Sequence, residues 1–252
     1  MAETLRLNRF LAQAGVGSRR RCDDLIRTGR IRVNGLPTSE LGTKVDPSRD
    51  EVELDGARVA APAEQWTLAL NKPAEVLVAA RDGRGRRTVM DLLDGAPGRV
   101  FPVGRLDYRS EGLLLLTSDG DLGFRLAHPR FKVDKCYHVD VASAVPREAV
   151  EALRRGVVLD DGPTLPARVR VLRRSPGQPQ TIEIELREGR KRQVRRMLAL
   201  FGLDVTRLTR VRFGPIELGQ LPPGRWRTLS EAEVLTLREA TGLAMNAGKD
   251  AA

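Results

Sequence analysis

The sequence has little that could hold a metal. Its 252 residues include two cysteines, Cys22 and Cys136, and two histidines, His128 and His138. None stands at metal-ligand spacing, so no metal site is expected. So few cysteines fit a reducing, cytoplasmic compartment. Long hydrophobic runs are also missing. The stretch Met1 to Arg6 has no apolar h-region, and the leucine run Leu113–Leu116 falls far short of the ~20 apolar residues that a spanning helix needs. No membrane partner is expected. No Gly-rich nucleotide loop is present either, and no cofactor is expected.

Positive charge is what the sequence has in excess. Lys and Arg number 43 against 33 Asp and Glu, a net charge of +10, and 37 of the 43 are arginine. That balance favours a polyanionic partner, and the planar guanidinium fork suits bidentate phosphate contact and base stacking. An arginine-rich coding composition explains the ratio equally well, so position has to decide. The 41% hydrophobic and 30% charged content is that of an ordinary folded chain.

The chain reads as two domains. Leu7, Phe10, Leu11 and Ala14 recur at helical spacing before Gly15. Ser18 can N-cap a second helix carrying Cys22, Leu25 and Ile26. Ile31 and Val33 then alternate up to Asn34-Gly35, and Val52 and Leu54 up to Asp55-Gly56, both hairpin signals. An αα-then-β unit over residues 5–60 is expected. Residues 57–65 are poor in large apolar side chains and read as a linker. A second domain, 66–240, carries strand-like stretches at 66–70, 113–116, 137–141, 169–172 and 181–186. Helices are expected at 89–93, 121–127, 147–154 and 191–201, which makes it a mixed, mainly antiparallel α+β domain. The tail from 242 to 252 reads as disordered.

Charge is not spread evenly. Residues 19–32 hold six arginines and two aspartates. Residues 187–212 hold nine basic residues against Glu188 and Asp204, so +7 of the chain's +10 sits in 26 residues. A solvated face explains the first cluster taken alone; composition bias does not explain the second.

Two sets of motifs carry a resemblance. The segment Leu5 to Leu11, the Gly17-Ser18-Arg-Arg-Arg run, the stretch Ile26 to Gly35 and the turn at Val52 to Gly56 resemble the small S-four-like RNA-binding domain. The string from Gly104-Arg105-Leu106-Asp107 through Gly112-Leu-Leu-Leu-Leu116-Thr117 to Asp119-Gly120 is similar to the signature of bacterial ribosomal RNA pseudouridine synthases of the RsuA/RluB type. Asn71-Lys72-Pro73, Lys135-Cys136-Tyr137, Glu188 to Met197 and Leu208 to Gly214 match in order, so the resemblance covers about residues 5 to 235. The chain departs from the usual pattern at Arg109 and Ser110.

That resemblance implies isomerisation of uridine to pseudouridine without a cofactor, on a nucleotide flipped out of folded RNA. It makes Asp107 the catalytic aspartate, acting as nucleophile on the anomeric carbon or as a base on the sugar; the sequence leaves both open. It makes Tyr137 the ring that stacks on the target uracil, with Tyr108 a weaker candidate. Val194, Met197, Leu198 and Phe201 form an apolar stripe that leaves Arg195 on its flank. Arg195 is therefore expected to pair with Asp107, and Arg192 and Arg196 to contact phosphate. Arg105 is expected to fill the gap left by the flipped base and Leu208 to pack near it. Lys72 is assigned to substrate binding at the site floor, and Arg19, Arg20 and Arg21 to RNA docking. The partner expected is ribosomal RNA, preferably of the large subunit, rather than DNA, and the chain is expected to act as a monomer. A small-subunit target, a non-catalytic ribosome-assembly protein and a DNA-binding regulator are the competing readings.

Overall fold

The computed structural model describes residues 4–60, 64–173 and 180–243, and the chain divides into two compact units, 1–65 and 66–252. In the first, β1 (Leu5–Arg6) runs into α1 (Leu7–Gln13), followed by α2 (Arg19–Arg27), β2 (Ile31–Val33), β3 (Leu36–Thr38), β4 (Lys44–Val45), β5 (Val52–Leu54) and β6 (Ala57–Arg58). The strands form a β1–β4 pair and an antiparallel sheet in the order β3-β2-β5-β6. Asn34 and Gly35, like Asp55 and Gly56, all have positive φ, so both hairpin signals become tight turns. Because β6 pairs with β5, Ala57 and Arg58 belong to the sheet rather than to the expected linker. Positions 61–63 of that linker lie outside the described residues.

Leu7, Phe10 and Leu11 of α1 meet Cys22, Leu25 and Ile26 of α2 over Ile31, Val45 and Val52 in one small core. Ser18 caps α2 by accepting from the Arg21 N–H at 3.2 Å. With its apolar stripe inward, α2 leaves Arg19, Arg20 and Arg21 exposed. S18A is expected to cost this unit about 1 kcal/mol, read as a lower unfolding midpoint in denaturant.

The second unit contains β7 (Thr67–Lys72), a 3-10 turn at Val89–Leu92, β8 (Phe101–Pro102), β9 (Glu111–Thr117), α3 (Gly120–Ala127), a 3-10 turn at Pro129–Phe131, β10 (Lys135–Val141), α4 (Arg147–Arg155), β11 (Val158–Leu159) and β12 (Gly162–Pro163). It continues through β13 (Arg168–Arg173), β14 (Gln180–Leu186), α5 (Gln193–Ala199), β15 (Val205–Phe213), β16 (Ile216–Glu217), β17 (Trp226–Thr228) and α6 (Glu231–Ala240). Among the described residues, nine strands form one sheet with the central order β13-β14-β10-β15-β9-β7-β17; β8 and β16 pair with β9 and β15. Every pairing is antiparallel except β15 with β9. That contact joins the two halves of the sheet.

The leucine run lies on β9 and is buried on both faces. Leu113 and Leu115 pack with Leu122 and Leu126 of α3 and Leu237 of α6. Leu114 and Leu116 pack with Val76, Val89 and Leu106 on the other side. A strand covered on both faces has no polar face, which accounts for the unbroken run. Strand β14 alternates buried and half-buried positions, with Ile182, Ile184 and Leu186 against α4 and α5.

Helix α5 is shorter than the expected 191–201. Arg192 adopts φ +51°, and the Gln193 N–H donates to Arg190 O, so residues 190–192 form a turn. Helix α6, unforeseen, begins at a capping box formed by Ser230 and Glu233. The buried Arg238 of α6 pairs with Asp119 Oδ2 at 2.7 Å, and Asp119 also caps α3, which ties the two helices together. The tail expected to be disordered lies, from 244 on, outside the described residues. No helix among the described residues is long and apolar enough to cross a membrane.

Candidate active site

Asp107 sits in a loop between β8 and β9. The Val103 N–H donates to Leu115 O, and the Ser110 N–H closes a turn on Asp107 O at 3.0 Å. Lys72, at the end of β7, fixes the rest of this loop. It is completely buried, and its ammonium donates to Pro73 O and Ser110 O, both at 2.8 Å, and to Tyr108 O at 3.4 Å. Burial lowers the Lys72 pKa to about 8, against the opposing pull of Glu111 and Asp107. Its expected role in substrate binding is therefore corrected: three backbone carbonyls inside the protein take its N–H groups, and it does not line the cleft. K72M is expected to lower kcat about tenfold while leaving the KM for RNA within about twofold, because the loop loosens but no RNA contact is removed.

A cleft of about 280 Å³ opens beside Asp107. Arg105, Tyr137, Arg192 and Leu208 line it with Asp107, as do Ser110, Lys135 and Arg210, to which the sequence reading gave no role. Its floor is one face of the β10–β15 pair. Tyr137 faces Arg210 across the strands, Val139 faces Leu208 and Lys135 faces Phe213. The pairing slips by one residue between Cys136 and Tyr137, so Val211 is extra on β15. This bulge puts Leu208, Arg210 and Phe213 on the buried side and sends Arg212 to the other side, where it pairs with Glu185.

Arg195 does not pair directly with Asp107. Its guanidinium donates to Val205 O at 2.9 Å and reaches Arg109 O at 3.5 Å, because backbone acceptors at the start of β15 and in the loop of Asp107 lie along its path. The charges still interact. Burial and Arg192 lower the Arg195 pKa, and Asp107 opposes that shift. Arg195 thus braces the loop that presents the carboxylate. Arg196 is also corrected: it is half-buried and paired with Asp161 at 2.9 Å, so its fork is committed within the protein rather than offered to phosphate. Arg190 reaches Asp161 as well, at 3.2 Å, and the backbone of β12. Arg105 and Arg192 remain exposed at the cleft. Arg19, Arg20 and Arg21 lie in the first unit. No cluster of three metal-ligating side chains occurs among the described residues.

The arrangement holds a carboxylate on a braced loop, a phenol ring on a rigid strand and guanidinium groups beside both. It suits a flat, neutral base attached to an anionic backbone. Residues 67–200 match the RNA pseudouridylate synthase family and residues 5–52 the S4 domain. Over 240 residues the chain is 45% identical to an uncharacterized RNA pseudouridine synthase of Aquifex aeolicus, covering 95% of this chain and 96% of that one.

The chain belongs to the RNA pseudouridylate synthase family. The synthase is also 40% identical over 243 residues to the ribosomal large subunit pseudouridine synthase B of Bacillus subtilis, covering 96% of this chain and 99% of that one. A crystal structure of a pseudouridylate synthase superposes with a TM-score of 0.67 at 28% identity, covering 92% of this chain and 99% of that chain.

Two signals for the missed residues of the synthase were present. Lys135 stands two positions before Tyr137 on the same strand, and Arg210 two after Leu208, so the period of two places each on its neighbour's face.

Proposed function

We propose that this synthase converts one specific uridine of ribosomal RNA to pseudouridine, preferably in the 23S RNA of the large subunit, with Asp107 as the essential carboxylate. The observation that carries the proposal is the cleft itself, where Asp107, Tyr137 and Leu208 meet over a single nucleotide-sized space. The choice of subunit leans on the name of the Bacillus subtilis relative.

In this reading Tyr137 stacks on the flipped uracil, and Leu208 closes the apolar side of the pocket. The N1–C1′ bond breaks while Asp107 either adds to C1′ or removes a sugar proton. The free base turns and its C5 bonds to C1′, which displaces the Asp107 oxygen from C1′ in the first case or is accompanied by return of the sugar proton from Asp107 in the second. The C5 proton is then lost and N1 gains one, which restores the ring. Arg195 keeps the loop of Asp107 in place through Arg109 O. Arg105 occupies the space the base leaves, and Arg192 meets the backbone. The first unit, 5–60, docks RNA through Arg19, Arg20 and Arg21, and 66–240 performs the chemistry. The proposed setting is the cytoplasm and the proposed state a monomer.

The test is a pseudouridine map of ribosomal RNA from cells with and without the protein. Loss of one 23S site supports the proposal. Loss of a 16S site instead corrects the subunit, and an unchanged map overturns the function.

A further inference from the structure

Two cations under the cleft form no ion pair with a carboxylate among the described residues. Arg210 is 2% exposed; its Nε donates to Leu113 O at 2.7 Å, while one of its terminal nitrogens, also buried, has no hydrogen-bond partner. Lys135 is half-buried and donates to Val133 O at 2.9 Å, which leaves two of its three N–H groups uncommitted. Both flank the ring of Phe213, with the Arg210 carbon at 4.8 Å and the Lys135 nitrogen at 5.1 Å from its centroid.

Asp107 shares the cleft lining without forming an ion pair to either cation among the described residues, and the two other carboxylates beside them are engaged elsewhere. Asp134 is held by Arg187 at 2.8 Å, and Glu188 accepts from Gln193, Arg190 and the Leu165 N–H. Two like charges so close raise each other's cost, and burial together with Arg210 lowers the Lys135 pKa to about 8, against the opposing pull of Asp134. A cation–π contact returns only part of what each desolvated ion costs. The pair is left in need of an anion, and the cleft is the open route to it.

We propose that Lys135 and Arg210 form a phosphate subsite that holds the phosphodiester next to the isomerised uridine. The inference rests on the reading of this cleft as the uridine pocket. It assigns to these residues the orientation of the nucleotide: a phosphate fixed here, with the base on Tyr137 of the same strand as Lys135, sets the sugar between them, towards Asp107. The uracil ring is neutral before reaction, whereas a phosphodiester carries a full charge and acceptor oxygens for both unsatisfied donors.

The test uses the full chain and three probes, uridine, uridine 5′-monophosphate and uridine 3′-monophosphate, titrated by ligand-observed NMR. At least one monophosphate is expected to bind about tenfold tighter than uridine, a difference of about 1.4 kcal/mol. K135Q is expected to bring that preference below about twofold. K132Q, which removes the same charge at an exposed position outside the cleft lining, is expected to preserve it. R210M is a second variant, read only where its unfolding midpoint matches the parent. Equal binding of uridine and both monophosphates by the parent overturns the proposal, as does a preference that survives K135Q or falls equally in K132Q. If K135Q weakens uridine as much as the monophosphates, the pair serves the base and the phosphate assignment is wrong. These outcomes are independent of the ribosomal RNA map, because phosphate preference is read by binding alone.

Discussion

Asp107→Asn is expected to reduce pseudouridine formation by about a thousandfold or more while leaving RNA affinity within about twofold. The amide has the shape of the carboxylate and keeps the turn, in which the Ser110 N–H bonds to the backbone oxygen of residue 107 and not to its side chain. It lacks the charge that either mechanism uses, because an amide neither adds readily to an anomeric carbon nor accepts a sugar proton at neutral pH. In the proposed reading binding is carried by phosphate contacts from the basic surface, and removal of a negative charge from that surface does not weaken them. Single-turnover isomerisation and filter binding on the same ribosomal RNA fragment separate the two effects. Retained turnover in the variant removes Asp107 from the chemistry, and loss of both binding and turnover points to a damaged loop.

Gly112→Ala is expected to give the largest loss of stability, about 3–5 kcal/mol. Gly112 has φ +97°, a region that side-chain-bearing residues rarely adopt, and a Cβ there would lie 2.3 Å from Arg210 O and 2.8 Å from Arg210 N. Both atoms are backbone, so no rotamer change relieves the clash. Gly112 and Arg210 are register partners in the parallel pairing that joins the sheet halves. The strands must separate, and the separation also pulls Arg210 from its bond to Leu113 O. Denaturant unfolding of G112A beside wild type measures the loss. A change under about 1 kcal/mol would show that this junction yields more easily than its spacing indicates.

The elements legible in the sequence were those with a local cause. Both hairpins of the first unit followed from Asn34-Gly35 and Asp55-Gly56, and the start of α2 followed from Ser18. The leucine run marked β9 as buried, and the period of two marked β14. What escaped depends on contacts distant in sequence. Lys72 looks like any lysine in a turn until β7 and the loop at 108–110 close around it. Arg196 lies on the polar side of its helix, but Asp161, 35 residues earlier, claims it. The reach of Arg195 to Arg109 O spans 86 residues. Arg210 and Arg212 are alike in sequence, and only the bulge at Val211 separates a buried cleft residue from one on the opposite face. The capping box of α6, Ser230 with Glu233, was readable and was missed for lack of a strong apolar stripe beside it.

The parallel contact between β9 and β15 also imposes an order of events during synthesis. Asp107 precedes β9 and Tyr137 stands on β10, only 30 positions later, yet in the sheet their strands are neighbours only through β15, at Val205–Phe213. A chain emerging from the ribosome can make both strands long before the one that lies between them. The cleft therefore stays unassembled until about seventy further residues have been translated, and a partly made chain lacks the site proposed for modifying RNA.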